Sequence, residues 1–176
     1  MAIAINTVLA ATGALVATFS VTRIRFGKPD PSLCANGWLA GLVTSSASAA
    51  AVSPMAALFI GVVAGIGTPL LVELFELVLS IDDPSGAVCV HGAAGLWGLI
   101  SAGLFASQSG QTLPQLVGVS ALLGLMLPII YGLFWLMDRV FAFRVEPDGE
   151  RLGMDLHELG GNAYPEFVVH RDESYR

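Results

Sequence analysis

Residues 85–106 read SGAVCVHGAAGLWGLISAGLFA, and this stretch decides the fold because it is long and apolar enough to cross a lipid bilayer. It contains no Asp, Glu, Lys or Arg along its whole length. A helix needs about 20 apolar residues to cross a hydrocarbon core that is about 30 Å thick. One imidazole, that of His91, interrupts the run, so the helix places a titratable ring among apolar residues.

The rest of the chain has the same character, with 55% hydrophobic and 12% charged residues. Such a composition is typical of a membrane protein. No charged residue occurs in 2–22, 31–72 or 84–137, and each of the two longer runs has room for two helices divided by polar or proline-containing breaks. The runs are continuous rather than alternating, which argues against a strand-built barrel. The sequence therefore predicts an all-α membrane protein with five transmembrane helices at about 2–22, 34–52, 55–78, 85–106 and 114–140.

Basic residues predict the orientation, because cytoplasmic loops retain Lys and Arg. Arg23, Arg25 and Lys28 follow the first span, and Arg139 and Arg144 follow the fifth, whereas the connections on the opposite side have neither residue type. We expect a membrane domain at 1–140 with its amino terminus outside and a cytoplasmic tail at 141–176. The first segment has no basic region or small-residue cleavage site, which favours a retained span over a signal peptide. The cell (inner) membrane is the expected location.

Several function classes have no support in the sequence. The net charge of −6 argues against nucleic-acid binding. Cys34 and Cys89 lack the spacing of a zinc site or a disulfide framework. No nucleophile motif or metal-ligand spacing occurs, so the sequence predicts no enzyme, no catalytic residue, no cofactor and no metal.

Small residues at four-residue spacing indicate where helices pack, because association in lipid depends on close approach. The third span has such a stripe in Ala57, Gly61 and Gly65, and the fourth has one in Ala94, Gly98 and Ala102. A helix-packing seam is the first interpretation, and the lining of a narrow conduit is the second. The second span is so poor in large apolar residues, with SSASAAA at 45–51, that we expect it to face protein.

The fourth span begins after Asp82, Asp83 and Pro84. Proline suits the first helical position, and an Asp before it can accept hydrogen bonds from free amides at the positive end of the helix dipole. We therefore expect a structural capping role for this acidic pair. Glu73 and Glu76, near the cytoplasmic end of the third span, are expected to reach interfacial water.

His91 has two competing interpretations. Eight residues at 1.5 Å each place it about 12 Å inward from Asp83, near the middle of the membrane. Ionisable groups at that depth tend to face a bundle interior or a wet cavity and to mark a transport path. The alternative is a neutral imidazole that is hydrogen-bonded to a neighbouring carbonyl. Either way, we expect an uncharged ring that is held by surrounding protein rather than by lipid.

The order of motifs resembles the carboxy-terminal portion of the ammonium transporter family (the Amt/Mep/Rh group), from Asn6-Thr7 almost to Phe167. The resemblance is carried by five segments, namely GKPDPS at 27–32, GWLAGLV at 37–43, VSPMAALFIGVVAG at 52–65, DDPSGAVCVHGAAGLWGLISAGLFA at 82–106 and GMDLHELGGNAYPEF at 153–167.

This resemblance implies the last five spans of an eleven-span fold, followed by a short tail. It implies that His91 matches the second of two neighbouring histidines that line the family's ammonia pore, and that Asp82 and Asp83 match the acidic pair before the tenth span. The tail is similar to the segment that couples subunits of the family's trimer and meets PII-type signalling proteins.

The chain also departs from the family pattern. The first six spans have no counterpart, and the first histidine, the aromatic gate and most of the outer cation site are missing with them. Three hypotheses follow. The first is a truncated or split ammonium transporter subunit that is completed by an amino-terminal portion. The second is a non-transporting accessory or structural subunit of a larger membrane complex. The third is an inactive gene fragment.

Overall fold

The computed structural model describes residues 1–81, 83, 85–141 and 144–161. Within these residues the chain is helical and contains no strand, which confirms the prediction of an all-α fold. Asp82 and the end of the tail motif lie outside the described residues. The helices are α1 (Ala2–Phe26), α2 (Pro31–Ser48), α3 (Pro54–Val78), α4 (Val88–Phe105), α5 (Thr112–Val140), α6 (Pro147–Leu152) and α7 (Met154–Leu159).

Four of the five long helices, α1, α3, α4 and α5, are long and apolar enough to cross a membrane. The helix α2 is not among them, although it occupies the second predicted segment. It has 18 residues and owes its lower hydropathy to Asn36 and to a run of hydroxyl side chains near its end. Composition therefore supports four crossings directly.

Local chemistry fixes where the helices begin and end. Asp30 precedes α2, and its Oδ1 accepts a hydrogen bond from the Leu33 amide at 2.8 Å. Ser53 precedes α3, and its Oγ accepts one from the Ala56 amide at 3.3 Å. A proline follows each cap at the first helical position, where its missing N–H costs nothing. The helix α1 ends at Gly27, whose φ of 73° lies in the left-handed region.

Close approach of α1 and α3 depends on two glycines. A Cβ on Gly61 would overlap the backbone of Ala10, and a Cβ on Gly65 would overlap the backbone of Ala14. Both alanines are buried, so two stripes of small residues meet face to face. The helix α1 fills the space beside Gly61 and Gly65, which leaves no room there for a narrow conduit. These two glycines therefore lie where the helices pack together.

The helix α2 packs against α1, α3 and α4, and its hydroxyl side chains are satisfied by carbonyls. Thr44 donates to the Ala94 carbonyl of α4 at 3.0 Å. Ser45 and Ser48 donate to carbonyls of their own helix at 2.7 Å and 3.2 Å. Since all three side chains are buried, the polar face of α2 lies against protein, as the sequence predicts for this segment.

Asn6 ties α1 to the connection between α2 and α3. Its amide nitrogen donates to the carbonyls of Ala49 and Val52, both at 2.9 Å. The side chain is 2% exposed, and its Oδ1 has no hydrogen-bond partner among the residues that the structure describes. The two donated bonds satisfy carbonyls where the backbone is no longer helical.

The chain divides into two compact units, Met1–Met126 and Leu127–Arg176. The first contains α1 to α4 and the beginning of α5. The second contains the end of α5 with α6 and α7, and there the side chains of Val145 and His157 lie against Gly149. Arg144 forms an ion pair with Glu150 at 3.0 Å in the same unit.

Candidate functional site: the His91 turn of α4

The entry to α4 is organised by Asp83. Its side chain is buried, with 5% of the residue exposed. One carboxylate oxygen, Oδ2, accepts hydrogen bonds from the amides of Val88 at 2.9 Å and Cys89 at 3.3 Å. The Asp83 carbonyl accepts a further bond from the Gly86 amide at 2.8 Å, which closes a turn that needs the left-handed φ of 68° at Gly86. A single carboxylate therefore fixes the start of the helix that carries His91.

The first turn of α4 is π-helical over Val88–Ala93. The amide of Ala94 donates to the carbonyl of Cys89, five residues earlier, whereas an α-helix would make this bond over four residues. π-helical turns are rare in proteins, and those that occur are often found at functional sites. His91 lies inside this turn.

Burial divides the turn into two faces. Cys89 and Val90 are 0% and 2% exposed, and Val90 packs in an apolar cluster with Ala40, Ala64 and Ala94. Val88 is 44% exposed, and His91 and Gly92 are exposed as well. The apolar side chains therefore hold the turn in place, and the imidazole is turned away from them.

The expectation that surrounding protein holds the His91 ring is wrong for the described part of the chain. The ring is exposed, and no hydrogen bond to it occurs among the described residues. The alternative of a ring bonded to a neighbouring carbonyl is not realised there either. A surface outside the described residues has to cover the imidazole if it is covered at all.

The other predicted packing residues lie on the opposite side of this turn or on α3. Gly98 faces Thr44 of α2, whose carbonyl would lie 2.7 Å from an added Cβ. Ala94 is 5% exposed, and its carbonyl accepts the bond from Thr44. These contacts fix α4 against α2 without involving the face that carries His91.

Sequence reasoning missed the polar side chains that join helices to one another. Trp97 donates from Nε1 to the Ile60 carbonyl at 3.0 Å, and Thr18 lies 2.7 Å from the Gly65 carbonyl. Their signal in the sequence is a single polar group in the middle of an uncharged run, which has to find a partner in lipid. Glu73, expected at the surface, forms an ion pair with Arg25 at 2.6 Å.

Two cavities lie near α4, and His91 lines neither. One, of about 360 Å³, is bordered by the ends of α2 and α4 and by Gln108, Gln111 and Gln115. The other, of about 200 Å³, is an apolar groove between α3 and α4 bordered by Cys89 and Trp97. Among the described residues, no group of three His, Cys, Asp or Glu side chains could hold a metal ion.

Comparison with known proteins gives the family. The sequence model of the Ammonium Transporter Family matches residues 1–164. The chain belongs to the ammonium transporter family. The ammonium transporter Amt2 of Archaeoglobus fulgidus is 35% identical over 190 aligned positions, which cover 97% of this chain. Amt2 of Haloferax mediterranei is 35% identical over 171 positions, which cover 93% of this chain. A solved structure described as a sensor Amt protein superposes with a TM-score of 0.78 at 28% identity over 89% of this chain.

This family member spans about two fifths of the proteins it matches. The aligned region is 40% of the Archaeoglobus relative, 37% of the Haloferax relative and 41% of the solved structure. More than half of each of these proteins therefore has no counterpart in the region matched here.

Proposed function

We propose that this chain supplies the His91-bearing wall of an ammonia path in an ammonium transporter. The observation that carries the proposal is the exposed imidazole on an apolar helix whose opposite face packs against α2 and α3. Ionisable groups in membrane helices usually face a bundle interior or a path rather than lipid. Membership of the family supplies the substrate, ammonium, which crosses as ammonia.

The chemistry suits a neutral ring. An uncharged imidazole has one donor nitrogen and one acceptor nitrogen, so it can hydrogen-bond a small molecule that both donates and accepts, as ammonia does. A cation would be costly to desolvate at this depth, whereas a neutral molecule crosses an apolar constriction more easily. His91 therefore acts by lining the path of the neutral molecule.

The path needs a second wall. We infer that it comes from a complementary segment, by which we mean the amino-terminal part of a family transporter that precedes the region matched here. That segment is part of the same assembly, as a longer polypeptide or as a separate chain. Asp83 retains its capping role in this account, and Gly61, Gly65, Ala94 and Gly98 retain their role in helix packing.

The membrane arrangement belongs to the proposal too. We infer that α2 crosses the membrane with the other four long helices, because α1, α3 and α4 surround its polar face. The amino terminus then lies outside and the tail in the cytoplasm of a cell whose inner membrane holds the protein. By resemblance to the family, a homotrimer and a PII-type protein at the tail are the expected partners.

Uptake of radiolabelled methylammonium tests the function in cells without ammonium transporters of their own. The chain is expressed alone, and then with the complementary segment of the Archaeoglobus relative. We expect uptake only with both parts, and a fall of about tenfold or more for His91→Ala, since one hydrogen bond of about 1.5 kcal/mol corresponds to about tenfold. The matched control is Leu104→Ala, which removes an exposed side chain from the same helix.

Two outcomes would overturn this function. If the paired parts assemble and no uptake occurs, the chain is an accessory subunit or an inactive fragment. If His91→Ala takes up methylammonium as well as the Leu104→Ala control does, the imidazole does not line the path.

A further inference from the structure

The direction of the His91 side chain differs from the one that a regular α-helix would give it. Seven residues of a regular α-helix turn through two full turns less about 20°. His91 lies seven residues before Gly98, so an uninterrupted α-helix would point both residues the same way. Gly98 faces Thr44 of α2 and is buried. A regular helix would therefore direct the imidazole at α2.

The structure places a different side chain there. Val90, not His91, packs with Ala40 of α2 and with Ala94, and it is 2% exposed. The π-helical turn brings Val90 rather than His91 to this face. In the turn the Ala94 amide donates to the Cys89 carbonyl, and one extra residue is accommodated. The turn rotates everything before it relative to the packed part of α4.

The turn is held at both ends. Asp83 binds the amides of Val88 and Cys89 at its start, and the contacts of Ala94 and Gly98 with Thr44 follow its end. Wide turns persist where the surrounding structure determines them, and they cluster at functional sites. The apolar packing of Cys89 and Val90 leaves His91 no place on the buried face.

We propose that the π-helical turn Val88–Ala93 is a positioning device that directs the His91 imidazole away from α2 and onto the exposed face of α4. The geometric part of this proposal stands by itself, and its consequence for transport rests on the proposed function. The two parts are tested separately, so that failure of one can be distinguished from failure of the other.

Thiol reactivity tests the geometry without any transport assay. In a Cys34→Ala, Cys89→Ala background, single cysteines replace Val88, Val90 or His91, and the purified chain in detergent is treated with N-ethylmaleimide. We expect the cysteines at 88 and 91 to react at rates within about threefold, and the cysteine at 90 to react about tenfold more slowly, because a buried thiol reacts only through local opening.

The protein also contains its own protected reference. A Cys34→Ala variant leaves the native Cys89, which is 0% exposed and is expected to resist the reagent. If the cysteine at 91 is as slow as the cysteine at 90 and the native Cys89, the turn does not direct this position outward and the proposal is wrong.

Deletion of Val90 tests the consequence for transport. It removes the extra residue from the turn, so that Cys89 keeps its place in a regular helix while His91 takes the position of Val90, on the face that Gly98 turns toward α2. We expect methylammonium uptake by the paired transporter to fall about tenfold or more, since small misplacements of a positioned group are costly, while assembly and membrane insertion persist.

The matched control is deletion of Gly124, an exposed glycine in the π-helical turn Leu122–Met126 of α5. It reports the general effect of losing a wide turn from a membrane helix. Loss of uptake on deletion of Val90, with at most a small change for Gly124, supports the proposal. Full uptake after deletion of Val90, or equal loss in both deletions, contradicts a specific positioning role. If the unaltered pair shows no uptake, the proposed function fails and thiol reactivity still decides the geometry.

Discussion

At the scale of single residues, polar side chains are placed by the carbonyl or amide groups that they satisfy. Asn6, Thr44 and Trp97 each donate to a backbone carbonyl of another segment, and Asp83 accepts from two amides. No water is available in lipid to hydrogen-bond these groups, so each one bonds to protein and fixes a contact there. His91 is the exception, because no described group meets it.

The cap at Asp83 gives a direct residue-scale prediction. Asp83→Ala should lower the free energy of unfolding by about 0.5–2 kcal/mol, because two helix amides lose their acceptor. Asp83→Asn keeps an acceptor oxygen and should lose less. Thermal unfolding in detergent measures both, with Asp155→Ala in the exposed part of the tail as the control. Equal stability of the Asp83→Ala and Asp155→Ala variants would show that the cap contributes nothing.

The sequence predicts part of this residue-scale account. Capping chemistry predicts that Asp83 accepts hydrogen bonds from amides at the start of α4, although the helix begins at Val88 and Pro84 lies outside the described residues. The small residues at 61, 65, 94 and 98 follow from spacing. The direction of His91 does not follow from the sequence, because hydrophobic periodicity assumes 3.6 residues per turn and cannot show where a wide turn adds a residue. The expectation of a packed imidazole rests on the depth of His91 in the membrane, and it is wrong among the described residues because none of them meets the ring.

At the scale of helices, close approach substitutes for large side chains. The α1–α3 contact is made by Gly61 and Gly65 against two alanines, and many of the large apolar side chains of these helices are exposed. Long uncharged runs locate the five helices, because charge is excluded from membrane segments whatever their partners. The helix α2 falls outside the apolar set because Asn36 and several hydroxyl side chains lower its hydropathy.

Glycine substitutions distinguish this packing from general helix propensity. Gly61→Ala should destabilise the protein by about 1–3 kcal/mol, because the new methyl group meets the Ala10 backbone and forces α1 and α3 apart. Gly67→Ala lies on the same helix with no atom within 4 Å of the new group, and it should be neutral or slightly stabilising. Unfolding in detergent compares the two, and an equal effect would refute the close contact.

The connection between α2 and α3 gives an element-scale prediction as well. Asn6→Ala removes both donors to the Ala49 and Val52 carbonyls, and we expect a loss of about 1–2 kcal/mol. Hydrogen exchange should speed up for amides in 49–53 and remain unchanged in α4. The control is Ser20→Ala, whose exposed hydroxyl bonds only to its own helix. Unaltered exchange in the connection would show that Asn6 does not hold it.

At the scale of the whole molecule, two features matter: the distribution of charged residues along the chain and the fraction of its relatives' length that it matches. The chain matches about two fifths of the length of its relatives, and His91 is exposed. Composition predicted the membrane class, and motif order predicted the family. What faces His91 cannot be predicted from the chain's own pattern, because no described residue meets the ring.

Orientation in the membrane is a prediction at this scale. Arg23, Arg25 and Lys28 should remain in the cytoplasm together with Arg139. Green fluorescent protein fused after the tail should fluoresce, and alkaline phosphatase fused at the same place should be inactive. The same two reporters inserted in the connection at 107–111 should give the opposite result. Reversed signals would mean that the basic residues do not set the topology.

We propose that the exposed imidazole of α4 becomes one wall of an ammonia path when the complementary segment is present. The most direct measurement is stopped-flow recording of internal pH in liposomes that contain the paired parts, after a pulse of ammonium. The account predicts a rapid pH change for the unaltered pair, a change about tenfold slower for His91→Ala, and none beyond lipid leakage for the chain alone. Equal rates for the unaltered pair and His91→Ala would contradict it.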